Sequence, residues 1–132
     1  MRRNIRGFSL IELLVVMAIL GILMAIAVPM YNQYRRRANR AEGRATLVEA
    51  AQIAERSFVR NNTYMNVTIG PNVADDIRDR SPHGLYAIAF VNRTATTFTI
   101  SATPQGSQTG DECGQLTINQ AGARGAAQDG CW

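Results

Sequence analysis

Few residues in this sequence are equipped for chemistry, and most of those suit cross-links or charge pairs better than a reaction. The two cysteines, Cys113 and Cys131, lie near the C-terminal end with no C-x-x-C spacing and no histidine beside them. In an exported domain such a pair reads as one disulfide; in a reducing compartment it reads as two idle thiols. His83, within Ser81-Pro82-His83-Gly84, is the single histidine. Without a second nitrogen or sulfur ligand close in sequence it reads as a turn or surface residue. Asp75, Asp76 and Asp79 form the densest acidic cluster, but the twelve-residue spacing of a calcium-binding loop is absent and a solvated loop is the better reading. Asn61, Asn66 and Asn92 each open an Asn-x-Thr sequon, which chance explains. No nucleophile–base set, phosphate loop or glycine-rich nucleotide turn is present. The sequence therefore predicts no catalytic residue, no metal and no cofactor.

Charge is more informative than nucleophiles. Every basic residue is Arg, and the formal charge of +4 is concentrated rather than spread. Arg2, Arg3 and Arg6 crowd the N-terminus, and Arg35, Arg36, Arg37, Arg40 and Arg44 crowd a second stretch. Without residues 1–7 the balance falls to eleven Arg against ten acids, or +1, so overall basicity argues only weakly for nucleic acid. Arg36, Arg40 and Arg44 follow an i, i+4, i+8 spacing that places them in one stripe on a helix. Like charges so placed repel by a few tenths of a kcal/mol per pair.

Upstream of this stripe the sequence carries an apolar run. Residues 8–30 contain one charge, Glu12, and one proline, Pro29. At about 1.5 Å per residue they span a hydrocarbon core of about 30 Å. The run is too long for the core of an ordinary signal peptide and lacks a small-residue cleavage site at its far end. It predicts a membrane anchor. The flanking arginines do not orient it, because both ends carry them; the cysteine pair and the strand-rich remainder favour export of the C-terminal side. A carboxylate at Glu12 costs several kcal/mol in lipid unless it reaches the headgroups or finds a partner.

Helical signals continue past Pro29. Residues 31–60 contain no Pro and are rich in Ala, Arg and Glu. Leu47, Ala51, Ala54 and Phe58 recur at helical spacing, with Val48 and Ala50 beside them, which predicts an amphipathic helix covering a sheet. Asn61-Asn62 is a plausible stop, giving a helix from residue 8 to about 60. Residues 61–83 show no sustained period and read as a connecting loop with one short helical turn. Residues 85–91, apolar on both faces, then 97–103, with Phe98, Ile100 and Ala102 inward and Thr97, Thr99, Ser101 and Thr103 outward, predict a hairpin turning at 92–95. A polar loop at 104–111 leads to a third strand at 115–119, with Leu116 and Ile118 inward. The final residues read as irregular apart from the cysteines.

The string Arg6-Gly7-Phe8-Ser9-Leu10-Ile11-Glu12-Leu13 resembles the type III signal peptide of type IV prepilins and related pseudopilins. The resemblance covers residues 6–30 and includes Pro29 at a family position. It implies cleavage after Gly7 by a membrane-embedded prepilin peptidase, methylation of the new N-terminus on Phe8 by the same enzyme, and a role for Glu12 in neutralising a neighbouring subunit's free N-terminus during assembly. It also implies a gently bent helix whose 21–29 stretch locally unwinds inside filaments. A second resemblance covers roughly residues 84–132. Thr99 to Gly106 (TISATPQG), then Cys113-Gly114-Gln115-Leu116-Thr117 and the closing Cys131-Trp132, are similar to minor pilins of the PilE kind, in which a disulfide-bounded loop follows an antiparallel sheet.

Together these resemblances imply an α+β type IV pilin fold, with a long N-terminal helix packed on a small antiparallel sheet and a disulfide joining Cys113 to Cys131. The leader would be residues 1–7, the membrane and filament-core helix 8–30, its amphipathic half 31–60, the loop 61–83, and the sheet with its C-terminal loop 84–132. The implied function is that of a structural subunit, most similar to a minor pilin, serving motility, adhesion or DNA uptake. The implied partners are other pilin subunits, prepilin peptidase, the inner-membrane assembly machinery, and membrane lipid before assembly. Before assembly the chain would sit in the inner membrane with its N-terminus cytoplasmic, and afterwards in the extracellular filament. Two alternatives stand beside this. One is a DNA-binding pilin using Arg78, Arg80, Arg93 and Arg124 with Tyr86, Phe90 or Trp132 to stack bases; the other is a pseudopilin of a secretion system. Within a filament, the stripe Arg36, Arg40 and Arg44 would pair with Asp75, Asp76 and Asp79 of a neighbouring subunit.

Overall fold

A computed structural model describes residues 7–71 and 77–132. The chain forms two compact units, Met1–Arg35 and Arg36–Trp132. Helix α1 is assigned over Leu10–Asn61, with Pro29 inside it.

In the first unit the helix begins just after Ser9. The Ser9 hydroxyl accepts the Glu12 backbone N–H at 3.3 Å, satisfying one of the donors that the first turn leaves open. Every large apolar side chain from Phe8 to Tyr34 is exposed. A surface of that kind, on a helix long and apolar enough to cross a membrane, needs lipid or other helices around it.

In the second unit α1 lies on a sheet through a narrow line of small residues. Gly43, Thr46, Leu47, Ala50, Ala54 and Ser57 are buried, whereas Ala51 and Phe58, which the apolar pattern placed on the same stripe, are only partly buried at its margin. Small side chains decide how closely the sheet approaches. At Gly43 a Cβ would stand 2.9 Å from ring atoms of Tyr86, so the glycine makes room for the largest fully buried side chain. The helix stops at Asn61. Asn62 takes a left-handed conformation (φ 53°), and its N–H reaches the Phe58 carbonyl at 2.7 Å, as the asparagine pair predicts. Tyr64 then turns back under the helix end, stacking on Phe58 at 4.5 Å and meeting Phe98 edge-on at 4.9 Å.

Two short strands, β1 (Ile69–Gly70) and β2 (Ile77–Arg78), pair in parallel. Over the described part of 61–83 the chain is mostly irregular, with a turn closed by the Val67 N–H on the Tyr64 carbonyl at 3.2 Å, and these two strands are what the loop expectation did not foresee. Buried Val67 and Ile77 pin this stretch, and two-residue strands leave no period to read. The main sheet is antiparallel in the order β3-β4-β5-β6: β3 Tyr86–Arg93, β4 Phe98–Pro104, β5 Leu116–Asn119 and β6 Arg124–Gly125. Strand β3 buries one face, Tyr86 and Ile88, while Ala89 and Val91 are exposed, so it is not apolar-covered on both sides as its composition suggested. A bulge at Val91 shifts the register between Phe90 and Asn92, which lets the strand run to Arg93 and moves the turn to Thr94 and Thr97, joined backbone to backbone at 2.8 Å. Phe98, Ile100 and Ala102 point into the core as expected. Ser101, expected to face solvent, is 2% exposed, covered on the outer face between Ala89 and Thr117, its register partners. Strand β6 is a further correction, since a Gly- and Ala-rich tail gave no strand pattern.

Cys113 and Cys131 are joined by a disulfide across a Cα–Cα distance of 5.7 Å, and both are buried. The staple holds the chain end against the sheet, where the Trp132 indole donates to the Gly125 carbonyl at 2.9 Å. Reduction of the bond is expected to cost about 3 kcal/mol in the chain-entropy account for a loop of this length. Denaturant titrations of full-length protein with and without reductant measure this, and hydrogen exchange in β6 should rise first.

Candidate functional site

The residues that could act in processing and assembly stand at the start of α1. Gly7 and Phe8 precede the helix and are exposed, with Phe8 80% accessible. Glu12 is in the first helical turn, where the partial positive charge of the unpaired N–H groups favours a carboxylate. Ser9, which receives the Glu12 N–H, was not singled out from sequence. Its signal was legible, because Ser-x-x-Glu before an apolar run is a helix-start pattern.

The arginine stripe does not behave as one surface. Arg40 is buried, and its guanidinium grips Asp111 twice, Nε to Oδ2 at 3.0 Å and Nη2 to Oδ1 at 2.5 Å. The two side chains are 9% and 1% exposed. Arg36 donates to the Gly110 carbonyl at 2.9 Å, and Arg37 approaches Glu112 at 4.0 Å. Gln108, wholly buried, completes the clamp, with its amide nitrogen 2.9 Å from the Arg36 carbonyl, 3.1 Å from the Tyr86 hydroxyl and 3.2 Å from Asp111 Oδ2. Its position follows from the 3₁₀ turn Gly106–Gln108, inside a stretch that composition marks only as polar loop. Burial pushes the Asp111 carboxyl up, but the hydrogen bonds and charge of Arg40, helped by the Cys113 N–H and Gln108, hold it below the usual carboxylate range. The same hydrogen bonding from Asp111 raises Arg40, against the opposing pull of burial.

Arg36 and Arg40 are therefore engaged within their own chain, which corrects the reading of an open stripe facing Asp75, Asp76 and Asp79. Asp75 and Asp76 lie outside the described residues. Asp79 sits beside β3, its carbonyl accepting the Ile88 N–H at 2.7 Å. Arg44 alone of the three makes neither an ion pair nor a side-chain hydrogen bond among the described residues, whereas Arg36 has its Gly110 carbonyl and Arg40 its Asp111. It lines a groove between α1 and the β5–β6 end of the sheet, together with Gln52, Arg124 and Trp132. His83 is exposed and meets Glu42, Nδ1 to Oε2 at 2.7 Å, a surface contact in keeping with the turn reading. Among the described residues no three His, Cys, Asp or Glu side chains gather.

The candidates for base stacking separate in the same way. Tyr86 is fully buried. Arg93 covers the Phe90 ring at 4.8 Å and donates to the Val67 carbonyl. Arg124 covers Trp132 at 5.1 Å, on the β6 side. Arg78 and Arg80 are exposed on the β3 side. The four arginines occupy opposite edges of the sheet and form no single patch.

Comparison with known proteins gives this geometry a family. Residues 29–117 match the family described as "Type IV minor pilin ComP, DNA uptake sequence receptor", and residues 2–28 match the prokaryotic N-terminal methylation motif. A fimbrial protein of Dichelobacter nodosus is 32% identical over 122 residues, covering 91% of this chain and 71% of that protein. Two other Dichelobacter nodosus fimbrial proteins are 35% identical, and the chain spans about half of their length, 54% and 52%. A type IV pilin from Shewanella oneidensis superposes with a TM-score of 0.56 at 26% identity, over 74% of this chain and 97% of that one. The minor pilin PilV of Neisseria meningitidis superposes with a TM-score of 0.59 at 21% identity, over 74% and 92%, which speaks to the fold alone. The two family matches together run from residue 2 to residue 117, the first fimbrial relative covers 91% of the sequence, and the fold they meet here is a methylation motif leading into an exposed apolar helix with an antiparallel sheet laid on its second half: the chain belongs to the type IV pilin family.

Proposed function

We propose that this pilin is a minor subunit of a pilus that works in DNA uptake. The observation that carries this reading is the match of residues 29–117 to a family described as a DNA uptake sequence receptor. Prepilin peptidase would cut after Gly7 and methylate Phe8, consistent with the methylation motif at residues 2–28. The subunit would wait in the inner membrane, N-terminus inward, until the assembly machinery lifts it into the filament. Contact with DNA would be through phosphates, since the buried Tyr86 and the engaged Arg93 leave no stacking platform beside β3. Arg78 and Arg80, both within the matched residues and both exposed, are the side chains this reading assigns to it.

Fluorescence anisotropy of full-length protein in nanodiscs, titrated with duplex DNA, tests the assignment. Each phosphate contact contributes about 0.9 to the slope of log affinity against log salt, so Arg78→Ala/Arg80→Ala should lower the slope by about 2. An unchanged slope, or no binding by the parent protein, contradicts direct contact.

A further inference from the structure

The groove beside Arg44 has features that neither the DNA reading nor the helix core uses. It consists of two adjoining cavities of about 470 and 430 Å³ that share Val48, Gln52 and Arg124. Val48, Ala51 and Ile118 give it an apolar floor. Arg44 and Arg56 stand at its two ends on α1, twelve residues or about 18 Å apart, and Arg124 reaches in from the opposite wall. None of the three arginines is in an ion pair among the described residues. Glu49 and Glu55 also line the groove, which disfavours a continuous polyanion. Strand β6 alongside is, among the described residues, paired only with β5, and the Trp132 indole donates to its Gly125 carbonyl. Apolar floor and a mixed rim with a cationic surplus suit an extended acidic polypeptide laid along α1.

The sequence carries such a segment at 75–79, and its described part, from Ile77 onward, is held away from the groove of its own copy. The Asp79 carbonyl bonds Ile88, the Ser81 N–H bonds the Tyr86 carbonyl, and Arg80 bridges Ala87, so residues 79–81 run along the outer edge of β3. Strand β6 is the opposite edge, three strand spacings or about 14 Å away. Ile77 is 1% exposed and fixed in β2. Residues 77–81, Asp79 among them, and the cationic groove therefore lie on opposite flanks of one unit. We propose that the groove receives segment 75–79 of a second copy of this chain, with Asp75, Asp76 and Asp79 opposite Arg44, Arg124 and Arg56. Complementary patches on opposite flanks give a head-to-tail contact, which repeats along a filament instead of closing on itself. The inference rests on the reading of the chain as a filament subunit.

Site-specific cross-linking of full-length chains in pilus-producing cells tests it. Two differently tagged copies, one with Gln52→Cys and one with Asp76→Cys, are co-expressed and oxidised, the native cysteines being already joined. A 52–76 cross-link is expected, without 52–52 or 76–76 products. Arg44→Glu/Arg124→Glu in the first copy should lower its yield about tenfold, and Asp75→Arg/Asp76→Arg in a second copy cross-linked through Asp79→Cys should restore part of it. Recovery of both variants in sheared pili with no 52–76 product overturns the docking while leaving the pilin reading intact. A dominant 52–52 product overturns the head-to-tail geometry. Unchanged cross-linking with lost DNA retention in the arginine variant assigns the groove to nucleic acid instead, and absence of both chains from pili removes the subunit reading itself.

Discussion

Asp111→Ala is expected to destabilise residues 36–132 by about 3–5 kcal/mol, because it leaves the Arg40 guanidinium buried without its counter-charge. For a unit of this size that corresponds to a fall in Tm on the order of 15 °C. Replacing both partners by apolar residues, Arg40→Met/Asp111→Leu, should recover most of the loss, since the desolvation cost of both charges disappears with the pair. The pair also fixes the acid limit. The Asp111 carboxyl in the folded state lies below its ordinary range. Its contribution is therefore complete above the unfolded carboxylate pKa and is lost as pH falls through the folded one. Thermal melts across acidic pH should show this slope in the parent protein and a shallower one in the double variant. An Asp111→Ala change costing less than about 1 kcal/mol would show that water reaches the pair and that the clamp is not what secures 105–112 to α1.

Glu12→Val is expected to leave the protein cleaved and inserted but to lower its incorporation into pili on the order of a hundredfold, as loss of a buried counter-charge worth about 3 kcal/mol would do. The Ser9 contact offers a competing account, in which Glu12 serves only to start the helix. Glu12→Gln separates the two, because glutamine suits a helix-start box as well as glutamate does but carries no charge. Quantitative immunoblots of sheared pili should find the Glu12→Gln protein as scarce as the valine variant. Normal incorporation of Glu12→Gln assigns the residue to the helix start and removes the charge-neutralising role.

Long, strongly patterned features were legible in the sequence. The apolar run 8–30, the continuing helix and its asparagine stop, and the alternation around Phe98, Ile100 and Ala102 each repeat a period often enough to be read. The second cysteine's partner was fixed by there being only two. What the sequence hid depends on contacts between distant residues. Gly43 carries no periodic signal, and only the fold shows Tyr86 lying on it. Gln108 and Asp111 looked like polar loop because nothing in residues 104–111 reveals that Arg40, some seventy positions earlier, lies opposite. Strands β1, β2 and β6 are two residues long, too short for any alternation, and owe their conformation to the neighbours they pair with. The arginine stripe was correctly spaced but wrongly treated as uniform. Its members differ in burial because the 105–112 stretch covers Arg36 and Arg40 and leaves Arg44 to the groove.

If this chain is a processed pilin carried in a filament, intact-mass spectrometry of protein from sheared, purified pili should find it lacking residues 1–7, beginning at Phe8 with one added methyl group and with the Cys113–Cys131 disulfide intact. Protein that keeps its leader in the pilus fraction, or is confined to membranes while pili assemble without it, would rule out that the chain is a processed filament subunit.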